Sequence, residues 1–235
     1  MLVNLNTFIT DFKASGIVDQ LNKQHEVILI WLTGSHAMSL SDGDSDYDLG
    51  VLIADNVDIS KTEKNPITYK YKKNNKEVQC IYNNINDIFA PMSPEFLVVY
   101  QYLCWCVFID FQEEHLIYVN PKYQEFVENL IAHKIDISIN AFHSFVLFFE
   151  KSINLITSKE DIKKVAWGKM LTYLCWYSDR LRGVDSNTER LLRVKRTHRD
   201  KYSESDLNYI FDCLSYIREY LTTSQRPQIS LSSLS

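Results

Sequence analysis

The stretch Leu32-Thr33-Gly34-Ser35-His36-Ala37-Met38-Ser39-Leu40-Ser41-Asp42-Gly43-Asp44-Ser45-Asp46-Tyr47-Asp48-Leu49-Gly50-Val51-Leu52-Ile53 decides how this chain folds. An apolar run from Val27 to Leu32 leads in and Leu49 to Ile53 leads out, so the pattern predicts strand, turn, short helix, acidic loop and strand. A Gly-Ser pair at the end of a strand leaves backbone N–H groups and a hydroxyl at a helix start, where they suit phosphate oxygens. Asp46 and Asp48 are two positions apart at the start of the next strand. Strand side chains alternate faces, so both carboxylates point the same way, about 6 to 7 Å apart along the backbone. Carboxylates so placed suit hard cations, two of which roughly 3.5–4 Å apart can clamp the attacking and leaving oxygens of phosphoryl or nucleotidyl transfer.

The totals set the frame for that reading. With 235 residues, 46% of them hydrophobic, the chain can bury a sizeable core as one two-lobed unit or two small domains. Its five cysteines, Cys80, Cys104, Cys106, Cys175 and Cys213, show no Cys-x-x-Cys spacing, and no signal-peptide pattern is visible. Reduced thiols in a soluble, cytoplasmic protein are expected. The longest apolar run, Phe96 to Ile109, is broken by Gln101 and falls short of the roughly 20 residues of a membrane span. Apart from His36, the histidines have no His-x-x-x-His or cysteine partner that would suggest a zinc site.

Gly34-Ser35 followed by Asp46-Tyr47-Asp48 resembles the Gly-Ser…Asp-x-Asp signature of the DNA polymerase beta-like nucleotidyltransferase superfamily. More narrowly, Gly-Ser-His-Ala at 34–37 and Asp-Ser-Asp-Tyr-Asp-Leu at 44–49 resemble a bacterial and phage branch of predicted nucleotidyltransferases of the RNA repair pathway type. Ser39 stands where that branch usually has glycine. The resemblance implies an α/β fold: a polymerase-beta-like lobe, a mixed sheet with flanking helices, followed by an α-helical lobe. It implies transfer of NMP from an NTP to an acceptor hydroxyl with Mg²⁺ or Mn²⁺, the metal held by Asp46, Asp48 and a third carboxylate on a neighbouring strand. Glu77 is the candidate for that third position, with Gln79 on the same face as an amide in the competing register. Gly34, Ser35, His36 and Ser45 are the implied nucleotide-binding residues. Lys169 and Arg180 join them as basic groups that a helical lobe lends to the triphosphate.

Taken in order, residues 4–23 read as an opening helix with Gly16 as its weak point, and Glu26 to Leu32 as a strand covered on both faces. Asp55 to Pro66 reads as a loop. Ile67 to Lys73 and Glu77 to Tyr82 form a hairpin that adds antiparallel strands to the sheet, with Asn74 and Asn75 in its turn. A helix from Pro94 to Trp105, a short strand Leu116 to Val119 and a helix from Pro121 to Ala132 follow. Residues 136–157 and 160–183 read as two long helices paired as a hairpin, and Ser203-Glu-Ser-Asp opens a last helix to Leu221. The expected divisions are 1–120 for the catalytic domain, 121–222 for the helical domain, and 223–235 for a Ser-rich flexible tail.

The net charge of −5 conceals an asymmetry: from Lys163 to Lys201 the local balance is +7, leaving −12 for the remainder. Such a basic segment beside an acidic catalytic half points to a polyanion, here an RNA end. Competing readings are AMP transfer to a protein partner in the manner of an antitoxin, modification of a small molecule, and a catalytically silent nucleotide-binding module.

Overall fold

The computed structural model describes residues 5–42, 45–54, 67–70, 76–85, 99–164, 168–198, 201–224 and 227. It divides into two compact units, Met1–Phe145 with Pro227–Ser235, and Val146–Arg226. The expected loop at 55–66, the hairpin turn at Asn74 and Asn75, the helix start at Pro94 and most of the Ser-rich tail lie outside the described residues.

The first unit opens with α1 (Leu5–Ala14) and α2 (Ile17–Gln24). The single helix expected there breaks at Gly16, whose φ of +75° leaves the right-handed helical region. β1 (Val27–Thr33), α3 (Gly34–Ala37) and β2 (Tyr47–Ile53) follow as the opening stretch predicts. β3 (Ile67–Lys70), β4 (Glu77–Asn84) and β5 (Leu116–Val119) complete a five-stranded mixed sheet in the order β3-β4-β2-β1-β5. β3 and β4 do pair antiparallel, but β4 joins β2 in parallel, which corrects the antiparallel attachment expected from the sequence. The pairing direction belongs to the order of the strands in the sheet, so neither strand's own alternation encodes it.

Both faces of the sheet are covered. On one, Phe8 of α1 stacks on Tyr47 with ring centroids 3.7 Å apart and planes within 3°. On the other lies α4 (Val99–Val107), whose Trp105 meets Trp31 of β1 at 4.7 Å. Trp31 in turn crosses Gly50 so closely that a Cβ there would overlap its ring, so β2 must carry glycine opposite the indole. Burying several aromatic rings of this size, each worth roughly 2–3 kcal/mol of apolar transfer, fixes the strands that deliver the site. α5 (Gln124–Ala132) and α6 (Lys134–Asn154) follow β5.

The second unit holds the end of α6, then α7 (Lys159–Ile162), α8 (Gly168–Leu181), α9 (Thr188–Arg196) and α10 (Glu204–Thr223). The expected helix over 160–183 therefore forms as two pieces, and α8 packs on α9 and α10 instead of forming the two-helix hairpin that the periodicity suggests. No helix among the described residues is long and apolar enough to cross a membrane.

Candidate active site

β1, β2 and β4 bring the site together through their register. Thr33, the last residue of β1, pairs with Asp48 of β2, and Gly34 follows it with φ of +63°. Glycine is required there twice over. It takes the left-handed conformation without cost, and a Cβ would overlap Asp48 Oδ2 while lying 2.8 Å from Asp48 Cβ and Cγ. The Asp48 carboxylate thus rests directly on the Gly34 backbone, which links the Gly-Ser turn to the acidic pair. Behind it, the thiol of Cys104 on α4 is fully buried beside Thr33 and Asn83. Burial, helped by the Asp48 charge, drives its pKa far above the ordinary thiol value, so a neutral sulfhydryl backs the carboxylate.

Asp46 lies one residue before β2 begins, half-buried, and its Oδ1 accepts the Glu77 backbone N–H at 3.3 Å. The loop before it is closed by its own side chains. Asp42 N–H donates to Ser45 Oγ at 2.9 Å, and the Ser45 hydroxyl donates to Asp42 Oδ1 at 2.8 Å. Lys76 Nζ donates to the Ser45 carbonyl at 2.7 Å, binding the loop to the start of β4. Asp44, with Gly43, lies outside the described residues.

The parallel register of β2 with β4 sets Tyr47 beside Val78 and Asp48 beside Gln79. Counting back two on each strand brings Asp46 level with Glu77, as the Glu77 N–H to Asp46 bond also indicates. Glu77 is exposed and Gln79 half-buried. Among the described residues no three His, Cys, Asp or Glu side chains gather as a metal cluster. Asp48 lies against Gly34, Gln79 is its neighbour across the ladder, and Asp46 stands two residues before it.

Other sequence-derived candidates have definite surroundings. The Ser35 carbonyl accepts Leu40 N–H at 2.8 Å, closing the turn after α3, and the side chain is half-buried. His36 stacks on Tyr47 at 4.5 Å, and Tyr47 leaves β2 on the face opposite Asp48. Ser45 is buried in the loop just described. Ser39 takes φ of +56°, the left-handed conformation that suits glycine and costs other residues about 1–2 kcal/mol. Ser39→Gly is expected to hold or raise the urea midpoint and Ser39→Val to lower stability by ~1 kcal/mol or more. A valine variant as stable as the glycine one would contradict this reading of the turn.

Lys169 and Arg180 belong to α8 in the second unit, the former exposed and the latter with its guanidinium carbon 5.3 Å from the Trp176 ring centroid. Much of the basic segment around them is paired at home. Lys163 meets Glu160 and Lys164 meets Asp161, each at 2.9 Å; Arg182 meets Asp212 at 2.7 Å and Arg193 meets the buried Asp206 at 3.1 Å. These acids fall just outside the window 163–201, so the second unit as a whole carries 15 basic against 11 acidic residues. Arg199 and Asp200 lie outside the described residues.

The family model described as Nucleotidyltransferase domain matches residues 13–155, more than half of the chain. The chain belongs to this family. It is thereby a member of the DNA polymerase beta-like superfamily, whose nucleotidyltransferases generally use a divalent metal and an NTP to move a nucleoside monophosphate. A search of curated proteins returns no match. The matched span contains Gly34, Ser35, Asp46, Asp48, Glu77 and Gln79, while Lys169 and Arg180 lie beyond it. Sequence reasoning missed Lys76 and Cys104 as neighbours of the acidic pair. Lys76 carried a weak signal as the residue just before Glu77; Cys104 carried none, because only the packing of α4 on β2 brings it there.

Proposed function

We propose that this nucleotidyltransferase moves NMP from an NTP to an acceptor hydroxyl and releases pyrophosphate, using Mg²⁺ or Mn²⁺. The observation that carries the reading is the contact of Asp48 with Gly34: the phosphate-binding turn and the carboxylate pair are one piece of structure, so a nucleotide held by one meets the other. Strand alternation puts Asp46 and Asp48 on one side, and the ladder makes Gln79 the neighbour of Asp48; two carboxylates and an amide oxygen would fit an oxygen-liganded hard cation. Asp46 and Asp48 would hold it, and Gln79 offers the third oxygen.

When bound, the metal supplies charge stabilisation for the transferring phosphoryl group and its leaving oxygen. The Gly34 backbone and the Ser35 hydroxyl hold the triphosphate, and the bonds that fix the Asp42–Asp46 loop pre-orient the carboxylates. The residues do their work by positioning, and no covalent intermediate on the protein is needed. The test is incubation with each labelled NTP, Mg²⁺ or Mn²⁺, and panels of RNA and protein acceptors. Label retained on an acceptor supports transfer, and label on none of them across both metals argues against it.

For the acceptor we favour an RNA end, on the resemblance of residues 34–37 and 44–49 to the RNA repair branch and on the net positive second unit. Lys195 and Arg196, in the last turn of α9, are the residues to probe; Arg193 serves Asp206. Replacing both with Ala is expected to flatten the slope of log affinity against log salt by about 1.4 for single-stranded RNA, at about 0.7 per phosphate contact. Arg193→Ala should instead lower stability, since it leaves a buried carboxylate without its cation. Binding to RNA without salt dependence would favour AMP transfer to a protein.

A further inference from the structure

We infer that Lys76 is a positioning residue for the Asp46 carboxylate, acting through the Ser45–Asp46 peptide; this rests on the reading of Asp46 as a metal-holding group. Asp46 stands before the first residue of β2, so the ladder between β1 and β2 does not set its peptide plane. The peptide is instead held from β4. Lys76 Nζ donates to the Ser45 carbonyl at 2.7 Å, and the next residue, Glu77, donates its N–H to Asp46 Oδ1 at 3.3 Å. The ammonium lies 5.9 Å from the centroid of the Tyr47 ring, so Lys76, just before β4, and Glu77, its first residue, attend to the carbonyl before Asp46, the Asp46 carboxylate and the ring after it. The Ser45 side chain is buried and committed to Asp42, which leaves its carbonyl as the handle on this segment.

A cation next to carboxylates can act in two ways, and they differ in sign. If Lys76 merely competed with a divalent ion for the acidic pair, removing its charge would tighten metal binding. If it orients Asp46, removing it lets the ligand wander and weakens binding, as loss of a partner that orients a metal ligand commonly does by about 10–100-fold.

The full-length protein is titrated with Mn²⁺ alone, and free Mn²⁺ is followed by electron paramagnetic resonance, so the readout does not depend on turnover. Lys76→Met is expected to bind Mn²⁺ about tenfold more weakly or worse, with Lys76→Arg restoring most of the affinity, because an arginine keeps both the donor and the charge. Lys76→Gln, a neutral donor, carries the comparison should the methionine variant lose its far-ultraviolet circular dichroism. Tighter or unchanged Mn²⁺ binding in the variant that carries the comparison overturns the positioning role. Asp46→Asn is the reference: if it binds Mn²⁺ as the wild type does, the metal assignment itself fails, whereas a sensitive Asp46 with an insensitive Lys76 removes only this inference.

Discussion

Asp48→Asn is expected to cut NMP transfer by more than a hundredfold, ~2.7 kcal/mol in barrier, while leaving the fold intact. The change removes a negative charge and almost no volume, and the half-buried position keeps its strand partners Thr33 and Gln79. Gly34→Ala attacks the same group by displacement. The added Cβ overlaps Asp48 Oδ2 and meets the left-handed φ of +63°, so the carboxylate or the turn must move. Loss of transfer in both variants, measured with labelled NTP beside circular dichroism of each protein, ties activity to the contact between turn and carboxylate. Transfer by Asp48→Asn within about tenfold of wild type, or ~1.4 kcal/mol, would count against a metal-holding role for Asp48.

The part of this site that lies along one continuous stretch was legible in the sequence; the part that depends on how strands meet was not. Gly34, Ser35, Asp46 and Asp48 sit within a single strand-turn-strand passage, so local periodicity and the known demands of phosphate and metal binding locate them together. Glu77 and Gln79 are on the same face of β4, and period-two alternation alone cannot say which of them stands beside Asp48. That choice depends on register and on strand direction, which belong to the pairing of β2 with β4 and not to either strand alone. Ser39 shows the opposite case: it stands where the branch that residues 34–37 and 44–49 resemble usually has glycine, and its φ of +56° explains why glycine suits the position. The +7 of the second unit's basic segment shrinks to +4 over the whole unit, because a window along the sequence omits the acids that fold back onto it, as Asp206 does onto Arg193 and Asp212 onto Arg182. The division of the long helix at Gly16 was visible as a weakness but not as a break, because the remaining residues keep their helical spacing.

Gln79→Glu is expected to raise transfer by about tenfold or more over wild type, a gain of ~1.4 kcal/mol. Gln79 is the direct neighbour of Asp48 across the parallel ladder, where adjacent strands lie about 4.8 Å apart, close enough for both side chains to share one cation. An amide there lends an oxygen but no charge, and it cannot take a proton from the acceptor hydroxyl. A carboxylate of nearly the same shape would add a third negative charge to the site and a base beside the reacting atoms, without disturbing a strand that pairs on both sides. Glu77→Gln is expected to change little, since that exposed side chain is level with Asp46 at the end of the strand and its contact there is made by the backbone N–H. The two variants are compared in the labelled-NTP assay with Mg²⁺ and with Mn²⁺. A wild type that binds NTP without transferring it, alongside an active Gln79→Glu, would identify the natural protein as a nucleotide-binding module stilled at this one position. An inactive Glu77→Gln together with no gain from Gln79→Glu would instead return the third ligand to Glu77, and with it a fully armed three-carboxylate site.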